Sequence, residues 1–374
     1  MIKIVEIENK VAVDEFGNRY RIRRDYRGVN EKIWIEKEGG EFSDSYLIKF
    51  STRKPGMLGE LNLYTEVVCS TLCSNLDLSH VNYQLCEFVG LNGKTEVGVI
   101  SQNYKKKQKH VEINGNSLHD AYCSWYYDNN YGEKPNLPVN TVYSYVEELK
   151  GRFESRRMTM SPETEQRLTE ELLILALFDF CTCQIDRHWG NVGWIHNNIF
   201  DDEKFFIGLL PIYDNECGCM LDELTPEKLQ DLLTNIRDPQ KVQKAIDMVN
   251  KKKSFSPYLG VKTALVKIKD EQKGFLTPLP NGPDGKSNAE TLAIELAAEI
   301  LARPNLKKVY DRICALDIES LLENMDFIPD EYKEIKEVYS FVWNTRLKLL
   351  KDSMEMVKNQ GKGAGANEAG LSNI

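Results

Sequence analysis

Ile185–Trp194 reads IDRHWGNVGW, and Gly208–Gly218 reads GLLPIYDNECG. Together they supply Asp186, Asn191 five positions on, and Asp214 at the end of an apolar run. One carboxylate, one amide and a second carboxylate are the set that phosphoryl transfer from Mg-ATP uses. One acid orients or deprotonates the acceptor hydroxyl, while the amide and the other acid hold the metal ions that bridge the phosphates. Protein kinases place an Asp and an Asn at the same separation in their catalytic loop. Asp-x-x-x-x-Asn is common by itself, so its meaning rests on what surrounds it.

Residues 1–104 read as strand-rich. IWIE (33–36), YLIKF (46–50), YQLCEFVG (83–90) and EVGVIS (96–101) are short β-branched or aromatic runs separated by Gly, Asn and Asp. One helix interrupts them from about Leu61 to Leu76, with Leu63, Val67, Cys69, Leu72 and Leu76 at helical spacing. The polar connector KKKQKHVEINGNSLHD (105–120) follows, and from about 117 the chain reads helical. Ser161-Pro162 and Thr225-Pro226 are paired N-cap and first-turn signals. Further helices are expected at Ser287–Ala302 and from Asp330 to about Lys358, and the Gly/Ala/Asn-rich end, 359–374, is expected to be a disordered tail.

A lysine on a central strand is needed to hold ATP phosphates, and Lys49 is the one charge within Tyr46–Phe50. Strand alternation puts Tyr46, Ile48 and Phe50 on one face and Leu47 and Lys49 on the other. The alternative is an edge-strand lysine whose stem lies along apolar surface. Glu66, in the middle of the following helix, is the expected acidic partner. Glu60 stands nearer the helix start, where an acid suits the dipole, and reads as a cap. A phosphate-covering turn should precede the lysine strand; DYRGVNEKIWIE offers Gly28 and Asn30 there, without a repeated-glycine motif. Arg187 and His188 lie inside the Asp186–Asn191 loop: the arginine can neutralise or brace the acidic cluster, the histidine can bracket it by hydrogen bonding. Cys181 with Cys183 and Cys217 with Cys219 flank the region. Cys-x-Cys departs from zinc spacing, and these thiols read as small core residues.

The net charge of −9 argues against a nucleic-acid binder, whose footprint is a basic face. Nine cysteines in 374 residues fit no secreted disulfide framework, and no stretch approaches a membrane span. The expectation is a soluble cytoplasmic protein, with a secreted effector acting in a host cytosol as the alternative.

YLIKFSTRKP, TEVVCSTLCSNLDL, FDFCTCQIDRHWGNVGW and IGLLPIYDNECGCML, in this order, resemble the HipA-like kinase family and most closely its compact CtkA-type branch. The resemblance spans roughly residues 25–220. It implies an α+β, two-lobed protein-kinase-like fold: a small β-rich N-lobe over 1–104 and a larger helical C-lobe over 105–358. It implies ATP and Mg²⁺ as cofactors, Lys49 on the ATP phosphates, Asp186 as the catalytic residue that acts as base or positions the acceptor hydroxyl, and Asn191 and Asp214 as Mg²⁺ ligands. ISQNYK (100–105) would be the hinge that meets adenine, with Gln102 and Tyr104 as contacts. The implied reaction is γ-phosphoryl transfer to a Ser/Thr hydroxyl of a protein substrate, with autophosphorylation left open. The DRHxxN string also resembles phosphatidylinositol kinases, so a lipid kinase is the alternative, and a non-catalytic nucleotide-binding scaffold a third. The toxin branch would bring an antitoxin or other regulatory partner. However, the chain starts too close to Lys49 to hold those toxins' extra N-terminal subdomain, so their contacts and DNA association are not expected here. Asp214 is followed by Asn-Glu rather than Phe-Gly, which puts an ordinary activation-loop switch in doubt.

Overall fold

The computed structural model describes residues 1–8, 10–25, 31–51, 60–104, 110–129, 142–155, 159–184, 187, 189–197, 207–215, 218–219, 225–251 and 288–368. Gly28, Asn30, Asp186 and His188 lie outside the described residues. The protein is mixed α+β, with a β-rich N-terminal region and a helical C-terminal region. It divides into two compact units. The first comprises Met1–Asn114, Asn191–Thr234 and Ser320–Lys336, the second Gly115–Gly190, Asn235–Glu319 and Glu337–Ile374. The division therefore differs from a single boundary at 104, because strand pairing carries the segment with Asn191 and Asp214 into the first unit.

In the first unit β1 (Ile2–Glu8), β2 (Val11–Asp14), β3 (Arg19–Asp25), β4 (Lys32–Lys37), β5 (Ser45–Phe50), β6 (Tyr83–Val89) and β7 (Thr95–Gln102) form a closed barrel in the order β1-β2-β3-β4-β5-β7-β6. β1 runs parallel to β6, and every other neighbour is antiparallel. Alternation fills the interior: Ile4, Ile22, Ile33, Ile35, Ile48, Phe50, Phe88 and Ile100 point inward, with Tyr46 packed against them. Phe50 and Phe88 meet edge to face, centroids 5.7 Å apart. Lys49 is thereby turned to the outer face of the barrel.

Gly98 of β7 lies opposite Phe50, and a Cβ there would stand 2.7 Å from the Lys49 carbonyl oxygen and 3.2 Å from Ile48. The glycine lets β7 approach the lysine strand closely. Valine favours strands by at most about 1 kcal/mol, whereas a clash with backbone costs about 1–3 kcal/mol, so the clash wins. Gly98→Val is expected to destabilise the protein by about 2 kcal/mol, read as a lower urea midpoint. An unchanged midpoint would mean that β5 and β7 can part freely.

Helix α1 (Leu61–Asn75) joins β5 to β6 and is buried nearly all round, with Glu60 at its N-cap. A second sheet, β8 (His110–Asn114), β9 (Gly193–Asn197) and β10 (Ile207–Leu209) in the order β10-β9-β8, completes the first unit's strands. The connector 105–120, read as polar loop, thus holds a strand whose partner lies some eighty residues on.

The helices that follow are α2 (Gly115–Asn129), α3 (Val142–Glu154), α4 (Pro162–Cys181), α5 (Pro226–Arg237), α6 (Val242–Lys251), α7 (Asn288–Ala302), α8 (Pro304–Ala315), α9 (Ile318–Glu323) and α10 (Ile335–Glu368). Ser161 Oγ accepts from Thr164 N at 3.2 Å and Pro162 opens α4, as the Ser-Pro pair predicts. The last helix continues through 359–368, part of the segment expected as a tail. Gly361, Gly363 and Gly365 are poor helix formers, but lengthening an established helix needs no new nucleus. No helix among the described residues is long and apolar enough to cross a membrane.

Candidate phosphoryl-transfer site

Lys49 is 3% exposed, and its ammonium donates to Glu66 Oε1 and to Asp214 Oδ1, each at 2.5 Å. The lysine is therefore buried between two carboxylates instead of reaching out to solvent along an edge. Glu66, 1% exposed, uses both oxygens: Oε2 accepts the Asn215 backbone N–H at 2.9 Å. One carboxylate thus ties together β5, α1 and the segment after β10. A buried ammonium is tolerable because it is paired on two sides. The Tyr83 ring adds a cation–π contact, its centroid 5.2 Å from Nζ. Burial and the nearby Glu66 charge push the Tyr83 phenol up, so it stays neutral.

Asp214 is set by backbone. Ile212 N donates to Ser79 O and Val81 N donates to Ile212 O, both at 2.9 Å, so the strand before Asp214 docks on the α1–β6 connection. That connection is fixed in turn by the end of α1. Leu78 N bonds Cys73 O, Asp77 N bonds Ser74 O, and Asp77 takes φ 54°, which together make a Schellman motif. Asp214 has φ 58°. A left-handed residue other than glycine costs about 1 kcal/mol, and the turn it makes aims the Asn215 N–H at Glu66.

Asn191 is 9% exposed and ends the short 3-10 turn Trp189–Asn191 just before β9. Leu210 N bonds Gly193 O at 2.8 Å, so the start of β9 lies beside the end of β10. Asn191 and Asp214 accordingly leave this hairpin at the same end. Carboxylate and amide oxygens are the hard donors Mg²⁺ takes, and Mg²⁺ needs only one or two protein carboxylates beside phosphate and water. Among the described residues no group of three or more His, Cys, Asp or Glu could hold a metal ion.

β3 and β4 pair up to Asp25 with Lys32, and Lys32 pairs with Lys49 across β4 and β5. The strands flanking Gly28 and Asn30 therefore end level with the lysine. Gln102 ends β7 and donates to Ser43 O at 3.0 Å. The Tyr104 phenol is pushed up by burial and by its hydrogen bond to Glu112, with Tyr213 and Tyr83 nearby.

Arg187 belongs to the second unit. It is fully buried and makes two bonds to Asp179 of α4, Nε to Oδ2 at 3.1 Å and Nη2 to Oδ1 at 3.0 Å. The α4 end before it is another Schellman motif: Gln184 N bonds Asp179 O, Cys183 N bonds Phe180 O, and Cys183 has φ 47°. Cys183 Sγ accepts from Arg346 Nη2 at 3.2 Å. Cys181, Cys183 and Cys219 are all buried. Asp179 and Asn215 were not singled out in the sequence. Asp179 carries a signal, as the one acid at the end of LLILALFDFC; Asn215 acts through its backbone and carries none.

No sequence-family model matches the chain. No curated protein matches it either. Among solved structures it is similar to the Helicobacter pylori proinflammatory kinase CtkA, at 13% identity and a TM-score of 0.55 over 89% of this chain and 95% of that one. It is also similar to a chain of the Shewanella oneidensis MR-1 HipA–HipB toxin–antitoxin complex with operator DNA, at 11% identity and a TM-score of 0.45 over 88% of this chain and 67% of that one. A third is choline kinase from Cryptosporidium parvum Iowa II, at 10% identity and a TM-score of 0.25 over 91% of each chain. The likeness to CtkA is one of fold: the chain shares its architecture with a kinase.

Proposed function

We propose that the chain is an ATP-dependent phosphotransferase that moves the γ-phosphoryl group of ATP to a Ser or Thr hydroxyl of a protein. The observation that carries this reading is the Lys49 ammonium held by Glu66 and Asp214 on a barrel-to-helix junction. Mg-ATP supplies the transferable phosphoryl group and the neutralising metal charge. Lys49, oriented by Glu66, pairs with the phosphates, and Asp214 and Asn191 offer the metal its oxygen donors. Lys49 and Asp214 now satisfy each other, so each can turn to its ligand only as the other does, which couples phosphate and cation uptake. Asp186 orients the acceptor hydroxyl, and Arg187 bound to Asp179 holds the loop that presents it. The Ser/Thr preference rests on the HipA/CtkA resemblance of the motif segments.

The test is label transfer from γ-labelled ATP with Mg²⁺, on the protein itself, on a generic protein and on lipid vesicles, beside Asp186→Ala and Lys49→Met. Label on protein, lost with Asp186→Ala and cut at least about 10²-fold with Lys49→Met, supports the proposal. Label in lipid alone redirects it to a lipid kinase. Unchanged turnover in Lys49→Met would reduce Lys49 to a structural ion pair.

A further inference from the structure

Helix α2 carries His119 and Cys123 one turn apart, and α3 carries Glu148, only 1% exposed. His119 Nδ1 lies 2.7 Å from Glu148 Oε1, and His119 Nε2 lies 3.5 Å from Cys123 Sγ. The other carboxylate oxygen, Oε2, is buried and makes no hydrogen bond. The two helices are held close by Gly151, one turn beyond Glu148. A Cβ there would stand 2.5 Å from the Tyr122 ring, itself one turn beyond His119. A thiol, an imidazole and a carboxylate in hydrogen-bonding sequence are the arrangement that activates a cysteine: the imidazole takes the thiol proton, and the carboxylate orients the ring and stabilises its charge.

We propose that Cys123 is a reactive thiol, a site of reversible oxidation by peroxide that is activated by His119 and Glu148. This inference does not depend on the phosphotransferase reading. The Cys123 thiol gives its proton to His119 Nε2. The thiolate then attacks one oxygen of hydrogen peroxide: an S–O bond forms, the O–O bond breaks, and the leaving hydroxide takes the proton from His119 to become water. Cys123 is oxidised to a sulfenic acid and the peroxide is reduced to water. Burial pushes the Glu148 carboxyl up to about 7 against the lowering effect of its hydrogen bond from His119.

Cys314 provides an internal control, since it is the other half-buried cysteine among the described residues. The full-length reduced protein is treated at pH 7 with limiting hydrogen peroxide in the presence of dimedone, which traps sulfenic acid, and adducts are mapped by mass spectrometry. Cys123 is expected to be labelled about tenfold faster than Cys314, because the imidazole beside it raises its share of thiolate. His119→Gln and Glu148→Gln, each checked for an unchanged circular dichroism spectrum, should bring Cys123 down to the Cys314 rate. Equal labelling of the two cysteines in the wild type, or an undiminished Cys123 rate in folded His119→Gln, would overturn the proposal.

Discussion

Asp214→Asn is expected to lower γ-phosphoryl transfer from Mg-ATP by at least about 10³-fold, on the scale of removing a preorganised charge that acts on the developing transition state. Stability should hardly change. Asparagine tolerates the positive φ of 58° almost as well as aspartate. It leaves the Asn215 N–H on Glu66. Lys49 keeps its bond to Glu66, so no buried ammonium is stranded. Asp214→Ala makes the useful contrast: it removes the same charge and adds about 1 kcal/mol of left-handed strain. If the two variants lose activity equally but only alanine lowers Tm, charge and backbone roles are separated. Transfer within threefold of wild type in a folded Asp214→Asn protein would sink the metal-ligand assignment.

The second large effect lies at Arg187 and Asp179, both with fully buried side chains. Arg187→Met leaves the Asp179 carboxylate without its counter-charge, and stranding one partner of such a pair costs about 3–5 kcal/mol. For a body of this size that lowers Tm by roughly 10 °C. Replacing both, Arg187→Met with Asp179→Leu, should recover most of that loss, because the desolvation of two charges goes with them. Activity should not recover: the loop next to Asp186 loses its anchor, and transfer stays down by about 10²-fold. Calorimetry on the two singles and the double reads the first effect, and label transfer reads the second. Single variants costing under about 1 kcal/mol would show that the pair contributes little to the fold.

The members of the Lys49 cluster stood out because each broke a local pattern, and the Lys49–Glu66 pair was expected, whereas Asp214 was read as a metal ligand and not as a partner of the lysine. Lys49 is a charge within an apolar strand, Glu66 an acid in mid-helix, and Asp214 an acid closing an apolar run. Buried charge is costly enough that such breaks demand a partner. Asp179 broke the same rule in LLILALFDFC, and the bidentate arginine lay only eight residues away. The sequence displayed the cost without displaying the direction of the side chain. The β8–β9 pairing was hidden for another reason. HVEIN and GWIHN are five-residue strands with polar members, and their pairing is decided by three-dimensional closure. His119 and Cys123 show i,i+4 spacing in HDAYC, but Glu148 reaches them only through helix packing. Gly28, Asn30, Asp186 and His188 remain expectations of the sequence.

The pairing of β1 with β6 sets an order of events during synthesis. β1 has no closing partner until Tyr83–Val89 has followed it, and Lys49 meets Asp214 165 positions further along the chain. Loop closure on that scale precedes any reward from the contact. A nascent chain can complete its barrel early, yet its Lys49–Glu66 pair lacks the Asp214 carboxylate until the hairpin after Asn191 docks. The three-way contact at Lys49 is thus gained only once Asp214 exists, and a chain truncated before it would keep the Lys49–Glu66 bond without the second carboxylate.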